Sequence, residues 1–510
     1  MKQILHYSAK AGMVAIAAMI LTAGVSAQTQ TRSSDNVLTS STTQSVSGNT
    51  YTSTTSDQSA VKVTDSTLTI SKCKLYNSAD ASSTDDASFY GTNAVMLSYG
   101  KSTSPVITSS NNYVSGTGKG ANGIFAYGNG SITTTGDTIY QTGGNARAIM
   151  ASGGGTITVN NDIATTTNGS SSVIATDRGG GTITVNGGTY TANGSNSAGI
   201  YSTGTITANN ATFVSNGGEM YVIEGSNNIT VNNCTATSNK DKWGILLYQS
   251  FSGDAEGSTG TITLKGGTLT YNGTSGGLFY NTNATANINL EGVTIVNKCD
   301  TLVRSLKGGW GNNATASSGG TTYINATGQT MEGMIYADSN SKDYITLSSS
   351  STYKNASINP GNVAGLVTLT MDESSTLSLA ADCHINGAIS ISGLTSGSTV
   401  SNILGNGHNI YYTKSTNTSL NGETYSLTNG GYLCPEGTII TANEIVSELN
   451  AQAAVTIYNL MGQVVYQTSS GNSSVVLNQE LLNNLSVPQG FYIVRTNTGS
   501  VVSTVKMIKR

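Results

Sequence analysis

Charge is what this chain has least of. Asp, Glu, Lys and Arg make up 10% of its 510 residues, against about a quarter in an ordinary soluble domain. Acids outnumber bases, and cleavage after Ala27 would take Lys2 and Lys10 with it, leaving 21 bases against 27 acids. That balance argues against nucleic acid or an anionic membrane as partner. Cysteine is sparse as well. Cys73, Cys234, Cys299, Cys383 and Cys434 stand singly, with no CxxC pair, which excludes a disulfide framework and a zinc site and leaves buried small side chains as the reading for most of them. Histidine nearly vanishes: His384 and His408 are all that follow Ala27, and no Ser-His-Asp or Cys-His arrangement can be built on them. No apolar run is long enough to span a bilayer comfortably, so no transmembrane span is expected.

What is present at the N-terminus reads as an export signal over residues 1–27. Lys2 and Lys10 supply the positive end, Ala11 to Ala23 the apolar stretch, and Val25-Ser26-Ala27 a small-x-small cleavage site. Residues 28–59 are Ser/Thr-rich with almost no apolar content, a flexible leader or an N-terminal cap.

Beyond residue 60 the low apolar content is regularly placed. One isoleucine column runs Ile132, Ile157, Ile183, Ile206, Ile229, Ile262 and Ile288, at spacings of 25, 26, 23, 23, 33 and 26 residues. The long step holds an insertion around Phe251 to Thr259. A second column precedes the Gly-rich turn: Phe125, Met150, Ile174, Tyr201, Ile223, Leu246, Phe279 and Val303. A third follows: Ile139, Ile163, Tyr190, Phe213, Ala236, Leu269 and Ile295. Each repeat therefore holds three short segments of period-2 alternation separated by Gly/Asn turns, which are strands. One coil cannot bury its own apolar residues, but stacked coils share a continuous core. The expected fold is all-β: a right-handed parallel β-helix over 60–433, with about 23–26 residues and three strands per coil. Roughly fourteen coils at about 4.8 Å each give a rod of about 65–70 Å. Asn160, Asn186, Asn209 and Asn232 follow the middle strand in successive coils and predict an asparagine ladder at that turn.

Composition shifts near Cys434-Pro435. Val455 to Tyr466 reads as a hairpin around Ile457, Tyr458, Asn459, Leu460, Gly462 and Gln463. Pro488 and Gly490 are placed for a turn that leads into a strand through Tyr492, and the chain ends on a short basic strand containing Lys506. These motifs, in this order, resemble the type IX secretion C-terminal sorting domain. The resemblance implies that residues 436–510 form a small immunoglobulin-like β-sandwich recognised by the outer-membrane translocon. It also implies a location at the cell surface or outside the cell.

The rod resembles the Ser/Thr/Gly-rich adhesin-like repeat proteins. That likeness lies in Phe89 to Ala94, Ala121 to Gly128, Ala175 to Gly181 and Leu247 to Asp254. It bears on the fold more than on the activity, for which the first expectation is a non-enzymatic adhesin or matrix protein that binds glycans or a host surface protein. In the first strand of each repeat, the residue after the large apolar position runs Ala126, Ala151, Ala175, Ser202, Glu224, Leu247, Tyr280, Arg304 and Tyr336, and alternation places this column outward. Glu224, Tyr280, Arg304 and Tyr336 of this column, together with Tyr248, form a candidate carbohydrate strip, with aromatic and Arg side chains of the kind that dominate binding hot spots.

A carbohydrate-active enzyme, either a polysaccharide lyase or a glycoside hydrolase on a pectate-lyase-like β-helix, is the alternative. It would need converging carboxylates, yet Asp177, Glu219, Glu224, Asp254 and Glu256 fall in three coils. No cofactor or metal is expected. Thr156/Thr158, Thr182/Thr184, Thr205/Thr207 and Thr261/Thr263 form Thr-x-Thr pairs like those of ice-binding faces, a remoter alternative that β-propensity also accounts for.

Overall fold

The computed structural model describes residues 35–308, 318–362, 364–394, 399–438, 454–467, 485–497 and 502–509. The expected signal peptide lies outside them. Among the described residues the strands sort into sheets of 19, 14, 10 and 4 strands. The three larger sheets are the walls of a parallel β-solenoid of about 15 turns, or about 70 Å of rod at the usual strand spacing. No described helix is long and apolar enough to cross a membrane.

The isoleucine column sets the register of the second, 14-stranded sheet. Ile132, Ile157, Ile183, Ile206, Ile229, Ile262, Ile288, Ile324 and Ile345 are successive Cα partners, and all are buried. The insertion between Ile229 and Ile262 leaves this pairing intact, because the extra residues leave the wall before the strand and return to it. Burying each such side chain contributes about 1.5–3 kcal/mol. The asparagine ladder forms as expected. Asn186, Asn209 and Asn232 each donate a side-chain N–H to the Oδ1 of the preceding Asn at 3.1, 3.0 and 2.8 Å. The next residue, Asn161, Gly187, Asn210 or Asn233, turns through the left-handed region, which Asn and Gly tolerate best. A second ladder that the sequence reading missed runs Asn193, Asn216, Asn239 and Asn272, with steps of 2.6, 2.6 and 2.7 Å.

Three expectations need correction. The rod starts ahead of residue 60: Leu38–Ser40, Gln44–Ser47 and Thr50–Ser53 are strands that pair with the following coil, so a complete coil lies in the stretch expected to be a flexible leader or an N-terminal cap. Polar Ser and Thr suffice there because stacking, more than composition, supplies the burial. In the third, 10-stranded sheet the core position belongs to Ala164 and not to Ile163. Ala164 pairs with Ile139 and Tyr190, while Ile163 is 55% exposed.

The third correction concerns the first, 19-stranded sheet, where two columns are interchanged in part. Ile174, Ile223, Phe279 and Val303 do point inward, but Phe125, Met150, Tyr201 and Leu246 lie on the outer face. Ala126, Ala151, Ser202 and Leu247, expected outside, line the core. A one-residue slip exchanges faces in a strand. It went unsignalled here because the outer face is itself apolar.

All five cysteines are buried free thiols. The C-terminal segment forms a four-stranded antiparallel sheet from Ala454–Asn459, Val464–Gln467, Gly490–Asn497 and Val502–Lys509. Of the expected sandwich, the described residues contribute this one sheet.

Candidate functional site

The outer face of the first sheet is roofed where ordinary rod surface would be bare. Helix α1 (Thr84–Tyr90) starts at Ser83, whose hydroxyl accepts from the Asp86 N–H at 3.1 Å, and ends at Gly91 in the left-handed conformation. A Cβ at Gly91 would lie 2.7 Å from both Leu97 and Phe125, so only glycine lets the helix settle this close to the sheet. Polar bonds fix it there: Asn122 Nδ2 to Ala87 O at 2.9 Å, Arg147 Nη1 to Ser88 Oγ at 2.6 Å and Ser152 Oγ to Phe89 O at 2.6 Å. Beneath the roof lies an apolar patch of Leu97, Phe125, Met150 and Ala175, separate from the rod's core.

A second insertion, 249–258, leaves the wall further along the same face. Arg178 joins the two. Its guanidinium lies 3.9 Å from the Phe89 ring centroid and pairs with Asp254 at 2.8 Å. From Phe89 a series of ring contacts continues: Phe89 to Tyr90 at 6.4 Å, Tyr90 to Tyr127 at 5.6 Å, and Tyr127 stacked on Tyr99 at 4.9 Å. Lys62 Nζ closes the row 5.1 Å above Tyr99. Tyr90 is exposed, and Tyr99, Tyr127 and Phe89 are half-buried.

Glu224 lies further along the same face, against the inserted loop, and is almost fully buried. Its carboxylate accepts from the hydroxyls of Tyr201, Tyr248 (2.9 Å) and Ser250. Ser250 continues to Ser252 at 2.9 Å, and Ser252 to Asp254 at 3.1 Å. One hydrogen-bonded chain therefore connects Glu224 with Asp254, two acids considered together as a catalytic pair from the sequence although nothing in it shows them converging. Asp177 is near enough to feel both. Burial pushes its carboxyl up to about 6, Arg147 and the Arg178 N–H pull it down, and the charges of Asp254 and Glu224 add to the rise. Among the described residues no His/Cys/Asp/Glu group has the make-up of a metal site.

The expected strip is not one column. Tyr280, Arg304 and Tyr336 are register partners on the outer face, whereas Glu224 pairs with Tyr248 in the column two residues further along. Tyr280 is buried and stacked on Trp243 at 3.8 Å with planes 8° apart. Arg304 lies 5.8 Å over Tyr336, both half-buried. The residues that sequence reasoning missed as site members are Phe89, Tyr90, Tyr99 and Tyr127, while Arg178 stood out in the sequence only as a base among the sparse acids. Tyr99 and Tyr127 occupy the same repeat position, a signal that was available. The four segments that carry the adhesin-like resemblance supply the last two residues of α1, Tyr127, Asp177, Arg178, Tyr248 and the first part of the inserted loop, so all four contribute to this face.

In the C-terminal sheet, Asn459 shapes the hairpin: its Oδ1 accepts from the N–H groups of Met461 and Gln463 at 3.0 and 2.9 Å, and Gly462 takes a positive φ of 79°. Ile457 is buried with Val455, Tyr492 and Val494, whereas Leu460 is exposed and Tyr458 half-buried. The Tyr492 hydroxyl donates to Pro488 O at 2.6 Å, and Lys506 is the register partner of Ile493. No curated protein and no solved structure matches the chain. Residues 438–510 match the family model for the secretion system C-terminal sorting domain, which marks the protein for export by type IX secretion across the outer membrane, to the cell surface or the extracellular space.

Proposed function

We propose that the chain enters export through a signal peptide at 1–27 and works outside the cell as a non-enzymatic adhesin or matrix protein, holding carbohydrate on the roofed outer face of the first sheet. The reading rests on the ring series Tyr99–Tyr127–Tyr90–Phe89 ending in the Arg178–Asp254 pair. Aromatic rims suit sugar C–H surfaces, and a partly exposed ion pair offers both a donor and an acceptor to hydroxyls. Tyr280, Arg304 and Tyr336 extend the same face and remain secondary candidates.

The meeting of Asp177, Glu224 and Asp254 favours one second reading, a carbohydrate-active enzyme on the same scaffold. A glycan array with the purified chain, followed by reducing-sugar and unsaturated-uronate assays on the ligands found, separates the two. The adhesin reading expects binding without turnover, weakened by about 1–3 kcal/mol in Tyr90→Ala or Tyr127→Ala and unaffected by Thr182→Ala on the neighbouring face. An enzyme would turn over and lose that turnover in Glu224→Gln while keeping much of its affinity. Ice binding would make Thr182 and Thr207 matter instead. Parent-like binding in both Tyr variants would remove the platform reading.

A further inference from the structure

The outer face of the second sheet changes character partway along the rod. One outward column runs Thr182, Thr205, Asn228, Thr261, Asn287, Tyr323 and Tyr344. The column two residues on runs Thr184, Thr207, Thr230, Thr263, Asn289, Asn325 and Thr346. Small hydroxylated and amide side chains satisfy an outward strand position well, so nothing in the fold calls for rings. Yet Tyr323 and Tyr344 stack at 4.6 Å with planes 13° apart, and Tyr323 is 37% exposed. Side chains stand nearly perpendicular to a sheet, so the two rings present their rims and hydroxyls to solvent. Neither phenol has a hydrogen-bond partner among the described residues.

The adjoining column is oriented toward the same spot. Asn289 Nδ2 donates to Thr263 Oγ1 at 3.2 Å, and Asn325 Nδ2 donates to Asn289 Oδ1 at 2.9 Å. Each amide spends its N–H on the coil before it, and the series ends at Asn325 Oδ1, whose register partner is Thr346. Two phenols, one amide oxygen and one threonine hydroxyl therefore cluster on a flat wall. Cations are sparse: Lys265 at the edge is paired with Glu291 at 2.8 Å, Asp372 adds a carboxylate at that same edge, where it accepts from the Ser349 N–H at 2.7 Å, and Lys342 stands at the opposite edge.

We infer that Tyr323, Tyr344, Asn325 and Thr346 form a second carbohydrate site, on a different wall from the first, that takes an extended neutral polysaccharide lying along the rod. Uncharged donors and acceptors beside apolar ring rims match sugar hydroxyls and C–H groups. The patch has no array of cations to hold a uronate or sulfate chain. The two rings stand on adjacent coils, about 4.8 Å apart along the rod, and Asn287 and Thr368 continue the column on either side, so a chain lying along the rod meets polar side chains beyond the ring pair.

Titration calorimetry on the full chain tests this with cellohexaose, mannohexaose and xylohexaose as neutral probes and hexagalacturonate as the charged one. At least one neutral hexasaccharide binds, Tyr323→Ala and Tyr344→Ala each lower its affinity tenfold or more, and hexagalacturonate is not held by these residues. The loss persists in a Tyr90→Ala/Tyr127→Ala background, which separates this site from the first-sheet platform, so either can fail alone. Unchanged neutral binding in the Tyr323→Ala/Tyr344→Ala double variant, no neutral binding at all, or a sedimentation shift showing that the patch pairs two copies of the chain overturns it. Circular dichroism melts of the variants should match the parent, because the rings lie outside the core.

Discussion

Tyr280 shows what an outward position can still carry. Alternation alone makes it a surface residue whose removal costs little. In the folded rod its ring lies flat on Trp243 at 3.8 Å within an apolar cluster that also holds Val222, Leu246 and Tyr248. Tyr280→Ala should therefore lower stability by about 3–5 kcal/mol, the cost of truncating a buried aromatic, visible as an earlier thermal transition. A melt that coincides with the parent's would contradict the packing. Any affinity loss in this variant must be read against that change in stability. Tyr90→Ala, at an exposed ring, is the cleaner probe of binding.

The corner between the second and third strands is a polar stack inside an otherwise apolar rod. Asn112 Oδ1 accepts from the Cys73 N–H at 2.7 Å, Asp137 Oδ1 from the Asn112 N–H at 2.7 Å, and Asp162 Oδ1 from the Asp137 N–H at 2.9 Å. Each side chain thus satisfies backbone of the coil before it, the requirement that buried N–H groups impose. Burial pushes Asp137 up to about 6, the hydrogen bond from Ser109 opposing it, and Asp162 up to about 7, the Asp137 N–H opposing it, and burial likewise raises Asp343 to about 7. These carboxyls lie above their unfolded value of 3.8, so the folded rod binds more protons than the unfolded chain. Their contribution is full below the unfolded pKa and is lost as pH rises through about 6 and 7. The melting temperature should fall between about pH 4 and pH 7.5, and Asp162→Asn should flatten that fall. A melting temperature that rises over the window would contradict this account.

The corner also marks the limit of what the sequence discloses about the elements. The isoleucine wall and the asparagine ladder were legible because each is a single side-chain type recurring at one period. The first sheet was misread by one residue because Phe125 and Met150 are apolar on the covered outer side while Ala126 and Ala151 are apolar on the core side. Alternation gives no contrast between two buried faces. Ile163 misled for the opposite reason: a large apolar residue at an exposed position beside a small one, Ala164, in the core.

At the scale of the whole molecule, the sorting segment was readable because its motifs are local. The candidate site was not, because it is assembled from insertions belonging to different coils. Phe89 and Arg178 meet across 89 positions of sequence, and Arg178 meets Asp254 across 76 more. No spacing rule links them. Removal of residues 438–510 should leave the solenoid folded, since its last strand ends at Pro435, and should trap it in the periplasm. Cell fractionation decides this, and surface delivery of the truncated chain would contradict the export assignment. The most direct test of the central claim is a crystal structure of the rod soaked with an oligosaccharide chosen from the glycan array. The account predicts sugar density against Tyr90 and Tyr127, with hydroxyls within hydrogen-bond reach of Arg178 or Asp254. Sugar bound on another wall with this face empty, or no sugar bound at saturating concentration, would contradict it.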